Sequence, residues 1–129
     1  MSHFTTLRTK LRDGDLIEQA LKELGYKFTR RGEKIRGYNG RSTTAEFRIP
    51  TASASYDVGL IKGKDGYEIV ADWYGVKGFD QQKFVRDVTR TYSLIATKNS
   101  LESQGFRLTS QEEDKTGKVT LVLRREVIG

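Results

Sequence analysis

The chain contains no cysteine among its 129 residues. That excludes disulfides, thiolate-bound zinc, iron–sulfur ligation and a cysteine nucleophile supplied by this chain. There is one histidine, His3, so any imidazole-dependent catalytic triad would have to draw on a residue at a chain end, where order is often poor. No apolar run approaches the length that crosses a bilayer, and the opening MSHFTTLRTK lacks the apolar middle of a secretion signal. The protein is therefore expected to be soluble and to keep its own start. No motif for a cofactor or a metal is found. With 36% hydrophobic residues the chain can fill one core and is short for two, so a single domain over residues 1–129 is expected.

What is present is charge, mixed in sign and unevenly placed. Residues 1–50 carry 11 Lys+Arg against 6 Asp+Glu, a balance of +5, out of a net +6 for the whole chain. A basic front half favours an anionic partner, which can be nucleic acid, an acidic protein or a charged membrane surface.

The segment YEIVADWYGVKGF, residues 67–79, organises the rest. Tyr67, Ile69, Ala71 and Trp73 alternate with Glu68, Val70, Asp72 and Tyr74, which predicts a central strand with large groups on both faces. Gly75 and Gly78 permit a turn, Asp80 is placed to cap a following helix, and Phe79 can pack on Phe84 as a hydrophobic staple. Trp73, flanked by Asp72 and Tyr74, has two readings: one wall of a binding surface at a strand end, or a filler of the core beneath the helix.

Taken in order, residues 4–11 alternate as a strand. Asp15, with Glu18 three residues on, predicts the start of a helix whose apolar stripe is Leu16, Ile17, Ala20, Leu21 and Leu24, closed by Gly25. Residues 26–30 and 34–38 read as two short strands about a turn at 31–33. Residues 45–49 form another, stopped by Pro50. Residues 56–61 and 67–74 pair across the Asp65-Gly66 turn. A long helix over 81–104 buries Phe84, Val88, Tyr92 and Ile95 and carries Lys83, Arg86 and Arg90 outside. Strands over 106–111 and 118–126 finish the chain.

Binding candidates cluster early. The stretch RGYNGRSTT, residues 36–44, combines small residues with Arg36 and Arg41, a composition suited either to cradling an anion or to an ordinary hairpin turn. It lacks the ending of a Walker phosphate loop, and Arg36-Gly37-Tyr38 matches only the opening of an RNA-recognition strand. Aromatics such as Tyr38, interleaved with Arg30, Arg31, Arg36 and Arg41, also allow single-stranded RNA to stack on this surface. Asp57, Glu68 and Asp72, on one predicted hairpin, are the carboxylates available for acid–base or cation chemistry.

Eight or so strands and two helices with hairpins dominating give an α+β domain, a mostly antiparallel sheet with both helices packed on one face, in a ferredoxin-like or saddle-shaped arrangement. The blocks MSHFTT, GYNG followed by RSTTAE, YDVG, YEIVADWYGVKG and VTLVLRR span nearly the whole sequence. On them the chain resembles the hypothetical chloroplast reading frame thirty-five family, small proteins of cyanobacteria and plastid genomes; Tyr74 stands where a second tryptophan is common there. The resemblance implies a photosynthetic lineage and a cytoplasmic or plastid-stromal home, and it brings no reaction, cofactor or catalytic residue. The functional expectation is a non-catalytic accessory or regulatory protein with a protein partner, contacted partly through the basic half. Single-stranded RNA binding is the alternative, and a small carboxylate-dependent enzyme is a third reading.

Overall fold

Two helices and seven strands order the chain in a computed structural model that describes residues 4–37, 42–53 and 56–125. In sequence they are β1 (Thr5–Arg8), α1 (Gly14–Glu23), β2 (Thr29–Arg36), β3 (Ser42–Pro50), β4 (Asp57–Lys62), β5 (Tyr67–Ala71), α2 (Gln81–Ser103), β6 (Phe106–Glu113) and β7 (Val119–Arg125). The contacts divide into two units, Met1–Tyr92 and Ser93–Gly129, with the boundary inside α2.

In the first unit β2 to β5 run as a meander and β1 adds to its last strand, giving the order β1-β5-β4-β3-β2 with every neighbour antiparallel. The α+β class and the antiparallel sheet are as expected. Directly paired residues share a sheet face, so Phe47, Leu60, Ile69 and Leu7 line up across four strands. Over them pack Ile17 and Leu21 of α1 and Phe84 and Val88 of α2, all buried. Both helices therefore cover one face. The other face holds a smaller buried group, Ile35, Ala45 and Val70, flanked by Phe4 and Ile61.

The start of α2 is as read. The Lys83 N–H donates to Asp80 Oδ1 at 3.1 Å, and the Phe79 and Phe84 rings stand 5.0 Å apart. The start of α1 is not. Asp13, in extended conformation, caps it by accepting from the N–H groups of Asp15 and Leu16 at 2.9 and 3.3 Å. Starting the helix earlier frees the Asp15 carboxylate for another use.

Two further expectations are corrected. Residues 29–36 form one strand, and the turn expected at 31–33 is a bulge within it: Arg30 pairs with Phe47 and Glu33 with Ala45, so Arg31 and Gly32 together face Glu46. Both bulge residues have positive φ, 91° and 67°, a conformation glycine adopts freely and arginine only at a cost. A bulge re-aims the side chains around it. Here Ala45 joins one core and Phe47 the other, although residues two apart on a regular strand share a face. The second correction is that β5 stops at Ala71, so Asp72 and Trp73 belong to the turn that follows.

The second unit contains the antiparallel pair β6–β7, whose register shifts between Leu108 and Ser110.

Candidate functional site

Two arginine–carboxylate clusters fix the first unit, one on each face of its sheet. On the helix-covered face the Arg30 guanidinium donates to Asp15 Oδ1 at 2.8 Å, Glu46 Oε2 at 3.0 Å and Glu18 Oε1 at 3.3 Å, and lies over the Phe47 ring at 4.9 Å. The bond to Asp15, and those to Glu46 and Glu18, hold its proton more firmly than usual against the opposing effect of burial. The Tyr67 hydroxyl donates to Glu46 at 2.9 and 3.0 Å. Burial first, and then the bond to this carboxylate and its charge, push the Tyr67 pKa up to about 12, so at neutral pH the phenol is a fixed donor. Gly14 completes the packing, because a Cβ there would collide with the Tyr67 hydroxyl and Arg30. The bulge makes this cluster by turning Glu46 to it, and the Asp13 cap contributes by releasing Asp15.

On the opposite face Asp57 is fully buried. Arg36 grips it through its backbone N–H (2.8 Å), Nε (3.0 Å) and Nη2 (3.1 Å), and Arg48 Nε stands 3.2 Å from Oδ2. Burial pushes the Asp57 carboxyl up, but the hydrogen bonds from Arg36 and the close approach and charge of Arg48 outweigh it, and the net pKa is lowered. The three residues bind β2, β3 and β4 together as ionised partners.

The residues singled out in the sequence thus take several different roles. Arg30 and Arg36 are neutralised internally. Arg31 sits in the bulge, exposed. Asp72 is buried beside Gly37, the neighbour of Arg36. Trp73 is half-buried on the larger core, 6.1 Å from the Phe79 ring, with its indole N–H unpartnered among the described residues. Tyr74 points away, 79% exposed, and lines a shallow hollow of about 360 Å³ with Ser53, Tyr56, Gly75 and Lys77. Tyr38 and Arg41, with residues 39 and 40 and with His3, lie outside the described residues. Of the three carboxylates, Asp57 is engaged by arginine, while Glu68 lies near the start of β5 and Asp72 just past its end, on the order of 13 Å apart by strand rise. Among the described residues no cluster of three acidic or imidazole groups is placed to hold a metal ion.

A feature the sequence did not disclose is a basic end. The Thr9 N–H donates to the Tyr67 carbonyl (3.0 Å), the Tyr67 N–H to the Leu11 carbonyl (2.7 Å), and Arg12 Nε to the Asp65 carbonyl (3.3 Å). These bonds bring Arg8, Lys10 and Arg12 beside Lys62 and Lys64 of the β4–β5 hairpin. All five are exposed, and among the described residues none forms an ion pair. Asp65 and Glu68 lie among them, and Asp13 is committed to its cap. Arg8 and Lys64 share one hollow of about 190 Å³; Arg12 and Lys62 edge another of about 430 Å³, whose wall is the Arg30–Glu46–Tyr67 cluster. About fifty residues separate the two contributing segments, and the pairing of β1 with β5, continued by these bonds, unites them.

This is an antiparallel α+β protein in which Arg30, Arg36 and Asp57 are held in internal ion pairs and five exposed cations without ion pairs among the described residues stand together at one end. The family described as "Protein of unknown function (DUF1257)" matches residues 20–122, and the chain belongs to that family. It is similar to proteins named "Uncharacterized protein ycf35" from Guillardia theta, 28% identical over 126 residues, Cyanophora paradoxa, 25% over 126, and Pyropia yezoensis, 24% over 128. Each comparison covers 97% of this chain and 98% of the relative, which bears out the resemblance read from the sequence blocks. No solved structure matches.

Proposed function

We propose that the chain is a non-catalytic accessory or regulatory protein of a photosynthetic lineage, acting in the cyanobacterial cytoplasm or plastid stroma, that binds an acidic protein partner through its basic end. The observation that carries this reading is the contrast in charge use: Arg30 and Arg36 are held by internal carboxylates, whereas Arg8, Lys10, Arg12, Lys62 and Lys64 face solvent together without ion-pair partners among the described residues. A field of one sign at a surface steers and orients an oppositely charged partner. An acidic protein fits better than single-stranded RNA, because the two hollows at this end are lined by charged and small polar residues and Tyr67, whose hydroxyl is committed to Glu46, and so offer no free aromatic for bases to stack on.

The test compares the full chain with the triple variant K10E/K62E/K64E, each immobilised and exposed to cyanobacterial lysate with and without ribonuclease. A protein retained by the native chain under both conditions and lost by the variant supports the reading. Retention that survives charge reversal, or that disappears with ribonuclease, overturns it, and the second outcome favours RNA.

A further inference from the structure

The sheet of the first unit has two outer strands, and they are built differently. On β2 the bulge at Arg31 and Gly32 interrupts the edge, which also carries the exposed side chains of Arg31 and Lys34. Bulges and charged side chains are the standard means by which an edge is kept from pairing with another chain. The other edge, β1, is regular over its four residues. Because the Thr9 N–H points to Tyr67, the alternation of an antiparallel ladder directs the backbone groups of Leu7 and Thr5 to β5 and those of Thr6 and Arg8 outward. Among the described residues no strand pairs with that outward side.

Beside this open edge, on the helix-covered face, lies a groove of about 400 Å³ lined by Leu7, Gln81, Gln82, Val85 and Arg86. Leu7 and Val85 are partly buried against the core and form an apolar floor. Gln81, Gln82 and Arg86 belong to the first turns of α2, where the opening turn has no acidic residue and Arg86, its Nε 3.7 Å from Asp87 Oδ1, shares that carboxylate with Lys83. An unpaired strand edge, an apolar slot and a helix flank are the elements with which proteins take up an extended peptide as an added strand.

We propose that β1 and the start of α2 receive an extended segment of a partner protein in which aliphatic and acidic residues alternate. The alternation follows from the sheet geometry. Side chains of an added strand point by turns to the two faces: on the helix side they meet Leu7 and Val85, with Arg86 at the rim, and on the opposite side they meet Arg8, which shares that face with its paired residue Glu68. Backbone bonds to Thr6 and Arg8 supply affinity, and the two faces supply selectivity. A second copy of this chain is a poor occupant, since two β1 edges brought together present Arg8 and Arg86 to their own kind. This groove is separate from the basic end except for Arg8, so its failure as a site leaves the preceding reading standing.

The probe is a fluorescein-labelled ten-residue peptide alternating valine and glutamate, followed by anisotropy against the full chain. A control peptide has the same ten residues in two blocks. The alternating peptide is expected to bind at least tenfold more tightly than the block peptide. Thr6→Pro removes the outward N–H and leaves the bonds to β5 in place, as proline is tolerated on an edge whose N–H faces solvent; it is expected to lower affinity at least tenfold with unchanged circular dichroism and melting temperature. Should that variant not fold, Val85→Glu tests the same groove from α2 and is expected to give the same loss. Arg86→Glu should shift preference toward a valine–lysine peptide. Equal binding of the two peptides, or native affinity in both Thr6→Pro and Val85→Glu, overturns the proposal. So does a native dimer in sedimentation that Thr6→Pro converts to monomer, which assigns the edge to a second copy.

Discussion

The two units of this chain use the same local device, an antiparallel hairpin with alternating apolar residues, to different ends. In the first unit the alternation is covered: Phe47, Leu60 and Ile69 disappear under two helices. In the second, no described residue of β6 or β7 is buried. Val119, Leu121 and Leu123 keep their alternation on β7, but the register shift near Thr109 sets Gln111 opposite Leu121 and Glu113 opposite Val119. What organises this ribbon is its turn. The Asp114 carboxylate accepts from the Thr116 hydroxyl (2.6 Å) and the N–H groups of Thr116 (2.8 Å) and Lys118 (3.0 Å), and these bonds, the hydroxyl's foremost, hold its pKa below the usual carboxylate range. Alternation specifies a strand; whether the strand contributes a core depends on what covers it.

That contrast can be broken at several points. Phe47→Ala should be the most damaging change, about 3–5 kcal/mol, because it opens a cavity beneath Phe28, Tyr67 and the Arg30 guanidinium; chemical denaturation measures it, and a loss under about 1 kcal/mol would show that the helices do not seal this face. Asp57→Ala should follow at about 3 kcal/mol, since it strands Arg36 and Arg48 without their carboxylate, the solvent access of Arg36 moderating the loss. A pH series sharpens the same point. The folded-state pKa of Asp57 lies below its ordinary 3.8, so the ion pair contributes fully above about pH 4 and its contribution is lost as pH falls through the lower folded value. Native protein should therefore lose more stability than Asp57→Asn between pH 5 and the acid limit, and parallel curves would contradict the assignment. Leu123→Ala in β7 should have the smallest effect, below about 1 kcal/mol, as befits a side chain that is not buried in the native state. Asp114→Ala should leave the first unit intact and speed amide exchange at Thr116 and Lys118, read by hydrogen-exchange mass spectrometry.

Much of this architecture is legible in the residues. The stripe of Ile17, Ala20 and Leu21, the staple of Phe79 on Phe84 and the Asp65-Gly66 turn each express a local rule, and local rules act within a few residues. The misreadings arise where two local rules compete or where distant residues decide. Asp13 and Asp15 are both competent caps, and the distant Arg30 leaves Asp13 to cap by drawing Asp15 to itself. Arg31-Gly32 has the composition of a turn, and only pairing with β3 makes it a bulge. The Arg30 cluster draws on Asp15, Glu18, Glu46 and Tyr67, and the basic end on residues 8–12 and 62–64; no spacing within either segment announces the other. Trp73 looked like a strand residue because alternation continues past Ala71, while the pairing with β4 and β1 does not.

The bulge in β2 has an effect on how many molecules can join. Fibrils and open sheet polymers grow only when each subunit offers a receptive flank at both sides. With one flank kinked and cationic and the other regular, the five-stranded sheet of the first unit can terminate a neighbouring ribbon or accept a single guest, and the added unit finds no complementary flank on that sheet from which to propagate.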